Sequence, residues 1–361
     1  MKLSFWRRKA AAVAAAILLS AAPVAPVAEA FSLGDIIAAG AGAAISYQQA
    51  DQQMKYLDGD GRLEYFDELK KQYGVNDDPY LNSRLDAIMR SLTFAITEVD
   101  PSIQEKPYNY FINTDTSFNA FCTLGHNMSV NTGMFDLTAN DDEIAVVLGH
   151  EMGHGQKDHP RKSLKGALNS QILGAIVAEG TGIGILGTFA ANYANASHFT
   201  KPQEWEADNL SFDYITHSEY NPGACAAIWQ RVMDQYGSNS KSFVGEIFSP
   251  SDHPSHQQRR DNYLKKLAEY SGDKVKLDLK GDTPVVKVNG KEFVVPAAAE
   301  GMSANERACF ITGALAKAYH YGAQEIYAED GTVWFGSHAI ISPVDGEPAA
   351  EDLADRLNAI R

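Results

Sequence analysis

Five residues of this chain, His150-Glu151-Met152-Gly153-His154, have the types and spacing to do hydrolytic chemistry. Two histidines four positions apart on a helix of about 3.6 residues per turn share one face, one turn apart. Imidazoles so placed can bind one Zn²⁺, and the glutamate beside them can take a proton from a metal-bound water. The pattern also arises by chance in long chains, where it would be two surface histidines on an amphipathic helix. The flanks argue for a buried helix instead. Ile144, Val147 and Leu148 recur at helical spacing, and Asp141, Asp142 and Glu143 put negative charge at the helix N-terminus. Buried imidazoles and a buried carboxylate need partners, and a metal supplies one.

A zinc hydrolase of this kind needs a third protein ligand and an open fourth position. A third histidine six residues after His154 is excluded, because Pro160 stands there. The better source is Glu204-Trp205-Glu206-Ala207-Asp208, in which Glu204 and Asp208 lie at i and i+4 on one helix face. Glu204 can bind the metal while Asp208 accepts a hydrogen bond from a ligand histidine and fixes its tautomer. Taken alone, those acids also fit a solvated helix face.

Elements to position these groups are legible around them. Glu64–Gln72, Asp78–Thr97, Thr200–His217, Pro222–Tyr236 and Pro254–Tyr270 read as helices, the second with an apolar stripe of Leu81, Leu85, Ile88, Met89 and Leu92. Phe31–Ala50 is Gly/Ala-rich and then polar, a helix expected to lie on the body or across the site entrance. Tyr108–Asn113 reads as a strand and Phe118–Asn131 as two extended pieces around Gly125, followed by a short helix through Met134, Phe135 and Leu137. A small sheet there could offer an exposed edge to an extended peptide, or be plain structure. Ser163–Ser197 is apolar and rich in glycine; a buried helix pair fits its Glu179 and glycine breaks better than a membrane hairpin, and it could cover the cleft. After Gly272 the pattern changes to strands at Lys274–Lys280, Pro284–Val288 and Glu292–Val295, with Asn289-Gly290 as a hairpin turn. A helix at Ala304–Tyr319, two strands around Glu325–Ile341 and a helix at Ala349–Ile360 complete an α+β appendage.

The 361 residues, 45% hydrophobic and 21% charged, suffice for one large or two smaller cores. Lys2, Arg7, Arg8 and Lys9 precede the apolar run Ala10–Ala22, and Ala28-Glu29-Ala30 offers small residues for cleavage before Phe31. That is the pattern of a secretory signal peptide over residues 1–30, with an uncleaved anchor as the alternative. Those thirty residues carry four basic side chains and one acidic one, so without them the formal charge goes from −15 to −18. Such a balance argues against nucleic acid and anionic lipid as partners. The three cysteines, Cys122, Cys225 and Cys309, allow at most one internal disulfide and require none.

Together, GHEMGHGQKDH and the downstream EWEAD resemble the HExxH…ExxxD pattern of metallopeptidase family forty-eight, the gluzincins that include HtpX-, BepA- and CAAX prenyl endopeptidase-like proteins. Asn119-Ala120-Phe121 resembles the family's substrate-binding edge strand. Thr132-Gly133 with Asp142-Glu143 resembles its approach to the helix, and Ser251-Asp252-His253-Pro254 with Arg259 its HP…R segment. The resemblance runs from about Phe118 to Arg260. It implies His150, His154 and Glu204 as ligands of one zinc per chain, Glu151 as general base and acid, and Asp208 as the carboxylate behind a ligand. It implies His253 and Arg259 as residues facing the metal site, with the histidine either contacting zinc or steadying the oxyanion and Arg259 able to assist there, and His159 as structural. The chain departs from the family where Gly125-His126-Asn127 replaces a glycine pair, and it lacks recognisable TPR repeats or membrane helices.

The expected fold is mainly α (α+β): a gluzincin-type peptidase domain over 31–271 with a small edge sheet, and a small α+β domain over 272–361. The expected function is an exported zinc endopeptidase, periplasmic or extracellular, acting on unfolded or misassembled exported proteins, with peripheral contact to membrane or outer-membrane assembly. The alternatives are a latent zinc-fold chaperone that binds such proteins, and a zinc hydrolase of small amides.

Overall fold

The computed structural model describes residues 47–138, 140–168, 199–237, 254–280 and 283–361. The first helices are α1 (Tyr47–Asp58), α2 (Arg62–Tyr73) and α3 (Pro79–Val99). Asp78 starts α3 by accepting the N–H groups of Tyr80 and Leu81 at 2.9 and 3.0 Å, with Pro79 where no N–H is needed. Leu85, Ile88, Met89 and Leu92 of the expected stripe are buried, and Leu81 is partly so.

Three short strands follow: β1 (Asn109–Asn113), β2 (Ala120–Thr123) and β3 (Asn127–Asn131). The order is β1-β3-β2, with β1 parallel and β2 antiparallel to β3. β2, which carries Ala120 and Phe121, is therefore an edge strand, as its resemblance implied. A short helix α4 (Gly133–Leu137) leads to α5 (Asp141–Gln156), the helix of the two histidines. Asn140 caps α5 by accepting the Asp142 N–H at 2.8 Å. Every residue of α5 from Glu143 to Gly155 is buried, so the helix runs through the core rather than over it.

Helix α6 (His159–Leu168) doubles back after a tight link, and α7 (Lys201–Thr216) carries the second motif. A reciprocal Thr200–Gln203 capping box opens α7. Glycines at the contact let the two motif helices approach closely. A Cβ at Gly153 would sit 3.3 Å from the Ala207 carbonyl oxygen and from Leu210 Cβ, and one at Gly149 would sit 3.2 Å from Ser211 Oγ. Ser211 Oγ donates to the Val146 carbonyl at 2.7 Å, stitching the pair. Helices α8 (Ala224–Tyr236) and α9 (His256–Tyr270) complete the larger hydrophobic cluster.

Beyond Gly272 a second cluster forms from β4 (Val275–Lys280), β5 (Thr283–Val288), β6 (Lys291–Val294), α10 (Ala304–His320), β7 (Ile326–Glu329), β8 (Thr332–Phe335), β9 (His338–Ile341) and α11 (Ala350–Ile360). Asn289 and Gly290 have φ of +49° and +77°, as the hairpin turn requires. Where two strands were expected around Glu325–Ile341, three occur. Each has four residues, too few alternating positions to separate by pattern alone. Helix α10 joins the clusters, giving Cys309 and Ala316 to the larger one and Ala308, Ile311 and Leu315 to the smaller. At that junction Arg231 bonds buried Glu143 of α5 at 3.0–3.2 Å and faces Glu306 of α10 at 3.7 Å. All three cysteines are buried free thiols. Among the described residues no helix is long and apolar enough to cross a membrane. The expected signal peptide, most of the glycine-rich stretch at 163–197, and His253 lie outside the described residues.

Candidate metal centre

Side chains from α5 and α7 converge at one buried point. His150 Nε2 lies 3.0 Å from His154 Nε2 and 3.6 Å from Glu204 Oε2, and His154 Nε2 lies 3.5 Å from Glu204 Oε1. All three residues are at most 3% exposed, and they form the one group of three metal-capable side chains found among the described residues. Zn–N and Zn–O bonds of about 2.0–2.2 Å at tetrahedral angles hold ligand atoms about 3.3–3.5 Å apart. The observed separations match that size. Two nitrogens, an acidic oxygen and convergent aim fit zinc better than the harder cations, which prefer all-oxygen shells.

Asp208 lies one turn beyond Glu204, and its Oδ1 is 2.9 Å from His150 Nδ1. That contact fixes Nδ1–H on His150 and leaves Nε2 free to point at the convergence. Burial by itself would depress the His150 pKa, but the bonds to Asp208 and Glu204 outweigh it and lift the imidazole to about 9. Burial and the neighbouring His150 hold His154 well below the ordinary range. The two carboxylates thus favour positive charge at His150, and burial disfavours it at His154. Phe199 stacks flat on His154, with centroids 3.9 Å apart, and restrains its ring.

Glu151 is fully buried beside the ligands. Its Oε2 accepts the Cys122 backbone N–H of β2 at 3.0 Å, and its Oε1 has no hydrogen-bond partner among the described residues. Burial pushes its carboxyl up to about 7. Because the Cys122 N–H faces Glu151, that residue makes no β3 bond there, and the main chain of Ala120, two positions back, faces the same side, away from β3. Phe121 is only 4% exposed and its ring lies 5.1 Å from Tyr73, so its side chain belongs to the core. The Asn119 carbonyl accepts from Asn131 N–H at 2.9 Å.

Arg259 was expected to face the metal and steady an oxyanion. The structure gives its guanidinium two carboxylates instead: Nη2 bonds Glu204, and Nε lies 3.0 Å from Asp208 Oδ2. Its Cζ sits 4.4 Å over the Trp229 ring, and the residue is 1% exposed. Tyr263 OH, also buried, donates to the Asp208 carbonyl at 3.0 Å. Three further members of the site escaped the sequence reading: Trp229, Tyr263 and Glu206. Glu206, two residues from Glu204, points to a different helix face, and spacing gives no reason to choose it. It bonds His159 Nε2 at 3.1 Å, and His159 Nδ1 in turn lies 2.9 Å from His154 Nδ1.

A family model for peptidase family M48 matches residues 79–267, from α3 through most of α9. The chain is 26% identical over 202 residues to the putative beta-barrel assembly-enhancing protease of Vibrio cholerae, covering 53% of this chain and 40% of that protein. It is 26% identical over 186 residues to the metalloprotease LoiP of Escherichia coli, covering 50% and 70% respectively. With the Escherichia coli beta-barrel assembly-enhancing protease the identity is 22% over 276 residues, covering 72% of this chain and 54% of that protein. The chain therefore spans about half the length of the beta-barrel assembly-enhancing proteases it matches.

Proposed function

The chain belongs to peptidase family M48, and on that premise we propose that it is a zinc-dependent endopeptidase acting on exported proteins. One observation carries the reading: His150, His154 and Glu204 converge in a buried site, with Glu151 beside them bonded to the edge strand β2. Zinc held by these three residues would supply Lewis-acid polarisation of a scissile carbonyl and of an attacking water. Glu151 is the proton carrier. Its Oε2, anchored on the Cys122 N–H, orients Oε1 to take the water proton and pass it to the leaving amine. Asp208 holds the His150 tautomer, and Arg259 neutralises and positions Asp208 and Glu204. The peptide lies along β2, pairing with the outward main-chain groups of Ala120 and with the Cys122 carbonyl, while Asn119 and Phe121 hold the strand in register. His253 stays a candidate for steadying the oxyanion, with Arg259 now assigned to the carboxylates.

The names of two relatives refer to beta-barrel assembly. With the N-terminal pattern of a signal peptide, they support quality control of cell-envelope proteins as the setting and unfolded or misassembled polypeptides as substrates. Residues 272–361 serve docking or stability in this reading. The test is a paired one. The full chain and its Glu151→Gln variant are assayed for bound zinc and for cleavage of unfolded casein, with and without a chelator. Zinc in both and chelator-sensitive cleavage by the wild type alone supports the endopeptidase. Zinc in both and cleavage by neither favours the zinc-fold chaperone, and absence of zinc from both sinks the metal site.

A further inference from the structure

His159 opens α6 immediately after the helix of the two histidines. The link between them is short: Asp158 takes φ +56°, and its N–H donates to the Gly155 carbonyl at 2.9 Å. This reversal returns the His159 ring to the face of His154 that points away from the convergence of donors. The two Nδ1 atoms are 2.9 Å apart, and His159 Nε2 is 3.1 Å from Glu206 Oε2. His159 is 1% exposed, whereas the Glu206 side chain is 48% exposed.

The proton arithmetic of this chain has one solution compatible with a metal at His154 Nε2. A metal-bound Nε2 carries no hydrogen, so the neutral ring keeps its proton on Nδ1. That N–H must donate to His159 Nδ1, which is then the acceptor of its own ring. His159 therefore carries its hydrogen on Nε2 and donates it to the Glu206 carboxylate. The opposite arrangement, with His159 Nδ1 donating, would leave the hydrogen of His154 on Nε2 and block the ligand atom.

We propose that His159, backed by Glu206, is a positioning residue that locks His154 in the metal-binding tautomer, the counterpart of Asp208 behind His150. The two ligand histidines are then oriented by different devices. His150 leans on a buried carboxylate directly, while His154 reaches a half-exposed carboxylate through a second imidazole. Phe199 packs against both rings of the latter pair, with centroids 3.9 Å from His154 and 6.2 Å from His159. The inference rests on the zinc-site reading given above, and it assigns to His159 more than a structural place in the fold.

The test uses the full chain and zinc alone, with affinity read by competition against a chromophoric chelator and folding read from the melting temperature of the chelator-treated protein. His159→Phe keeps the ring volume and removes the acceptor; it is expected to weaken zinc binding by about 10–100-fold. His159→Asn places an amide oxygen close to the position of Nδ1, and is expected to stay within about threefold of the wild type. Glu206→Ala alters a half-exposed side chain, leaves folding intact, and weakens zinc by less than His159→Phe because water can replace the carboxylate. His159→Phe binding zinc as tightly as the wild type overturns the proposal. So does His159→Asn binding as weakly as His159→Phe, since restoring the acceptor would then not restore the affinity. If His159→Phe does not fold, Glu206→Ala decides: wild-type affinity there overturns the chain of bonds. A wild type without zinc would instead overturn the metal-site reading on which the proposal rests.

Discussion

Replacing Arg259 by Met should make the stability of this protein far more dependent on zinc. The guanidinium is buried at 1% exposure, with Nη2 on Glu204, Nε 3.0 Å from Asp208 Oδ2, and Cζ 4.4 Å over the Trp229 ring. It is the cation shared by two carboxylates that have no exposed surface. A unit-charge pair at about 4 Å is worth about 4 kcal/mol at an effective dielectric of about 20. Removing one partner of a buried ion pair typically costs about 3–5 kcal/mol, because the abandoned charge stays buried. Met keeps much of the apolar contact with Trp229, so the loss is chiefly electrostatic. Zinc changes the balance: a dication at Glu204 supplies the missing positive charge. Arg259→Met is therefore expected to lose about 3–5 kcal/mol in the presence of a chelator and less than half of that with saturating zinc. Urea unfolding of wild type and variant, each with chelator and with zinc, gives the four numbers. Equal losses in both conditions would refute this reasoning, as would a variant as stable as the wild type without zinc. The first would mean that Arg259 acts on the fold alone. The second would mean that the two carboxylates do not depend on it.

Two further outcomes are expected. Gly153→Leu should separate α5 from α7, because even a Cβ there meets the Ala207 carbonyl and Leu210 Cβ at 3.3 Å; the expected cost is about 1–3 kcal/mol, together with loss of zinc at concentrations that saturate the wild type. Unfolding and zinc titration read both, and unchanged zinc affinity would show that the helix spacing does not set the ligand geometry. His126, stacked on Tyr108 with centroids 4.4 Å apart, is pushed down to about 4 by burial and then by the charge of Lys106. Its folded pKa lies below the unfolded value of about 6.5, so its contribution is fully present above pH 6.5 and is lost as pH falls toward 4, by up to about 3 kcal/mol. His126→Asn, which tolerates the local φ of +53°, should flatten the fall in stability between pH 7 and 4.5 measured by urea unfolding, and an unchanged slope would remove His126 from the acid response.

What the sequence determined by itself about this protein is local and periodic. A spacing of four on a helix places His150 with His154, and Glu204 with Asp208, before any tertiary contact is considered. Apolar flanks told that the first helix is buried, and Asn119-Ala120-Phe121 with Gly125 marked a strand and turn beside it. Tertiary structure decided how those pieces meet. Gly149 and Gly153 against Ala207 and Ser211 allow α7 to approach until Glu204 reaches the histidines, an outcome that depends on the absence of side chains on facing surfaces. The partners of Arg259 lie 55 and 51 positions away on another helix, so a motif could mark the residue but not that its charge is spent on two carboxylates. His159 and Glu206 are 47 positions apart and carry no pattern linking them. Only the turn at Asp158 and the packing of α5 on α7 bring them into one line with His154. Periodicity reports the face a residue occupies on its own element; which residue waits on the opposite face is settled by the packing of elements, and there the orientation and charge balance of this site are set.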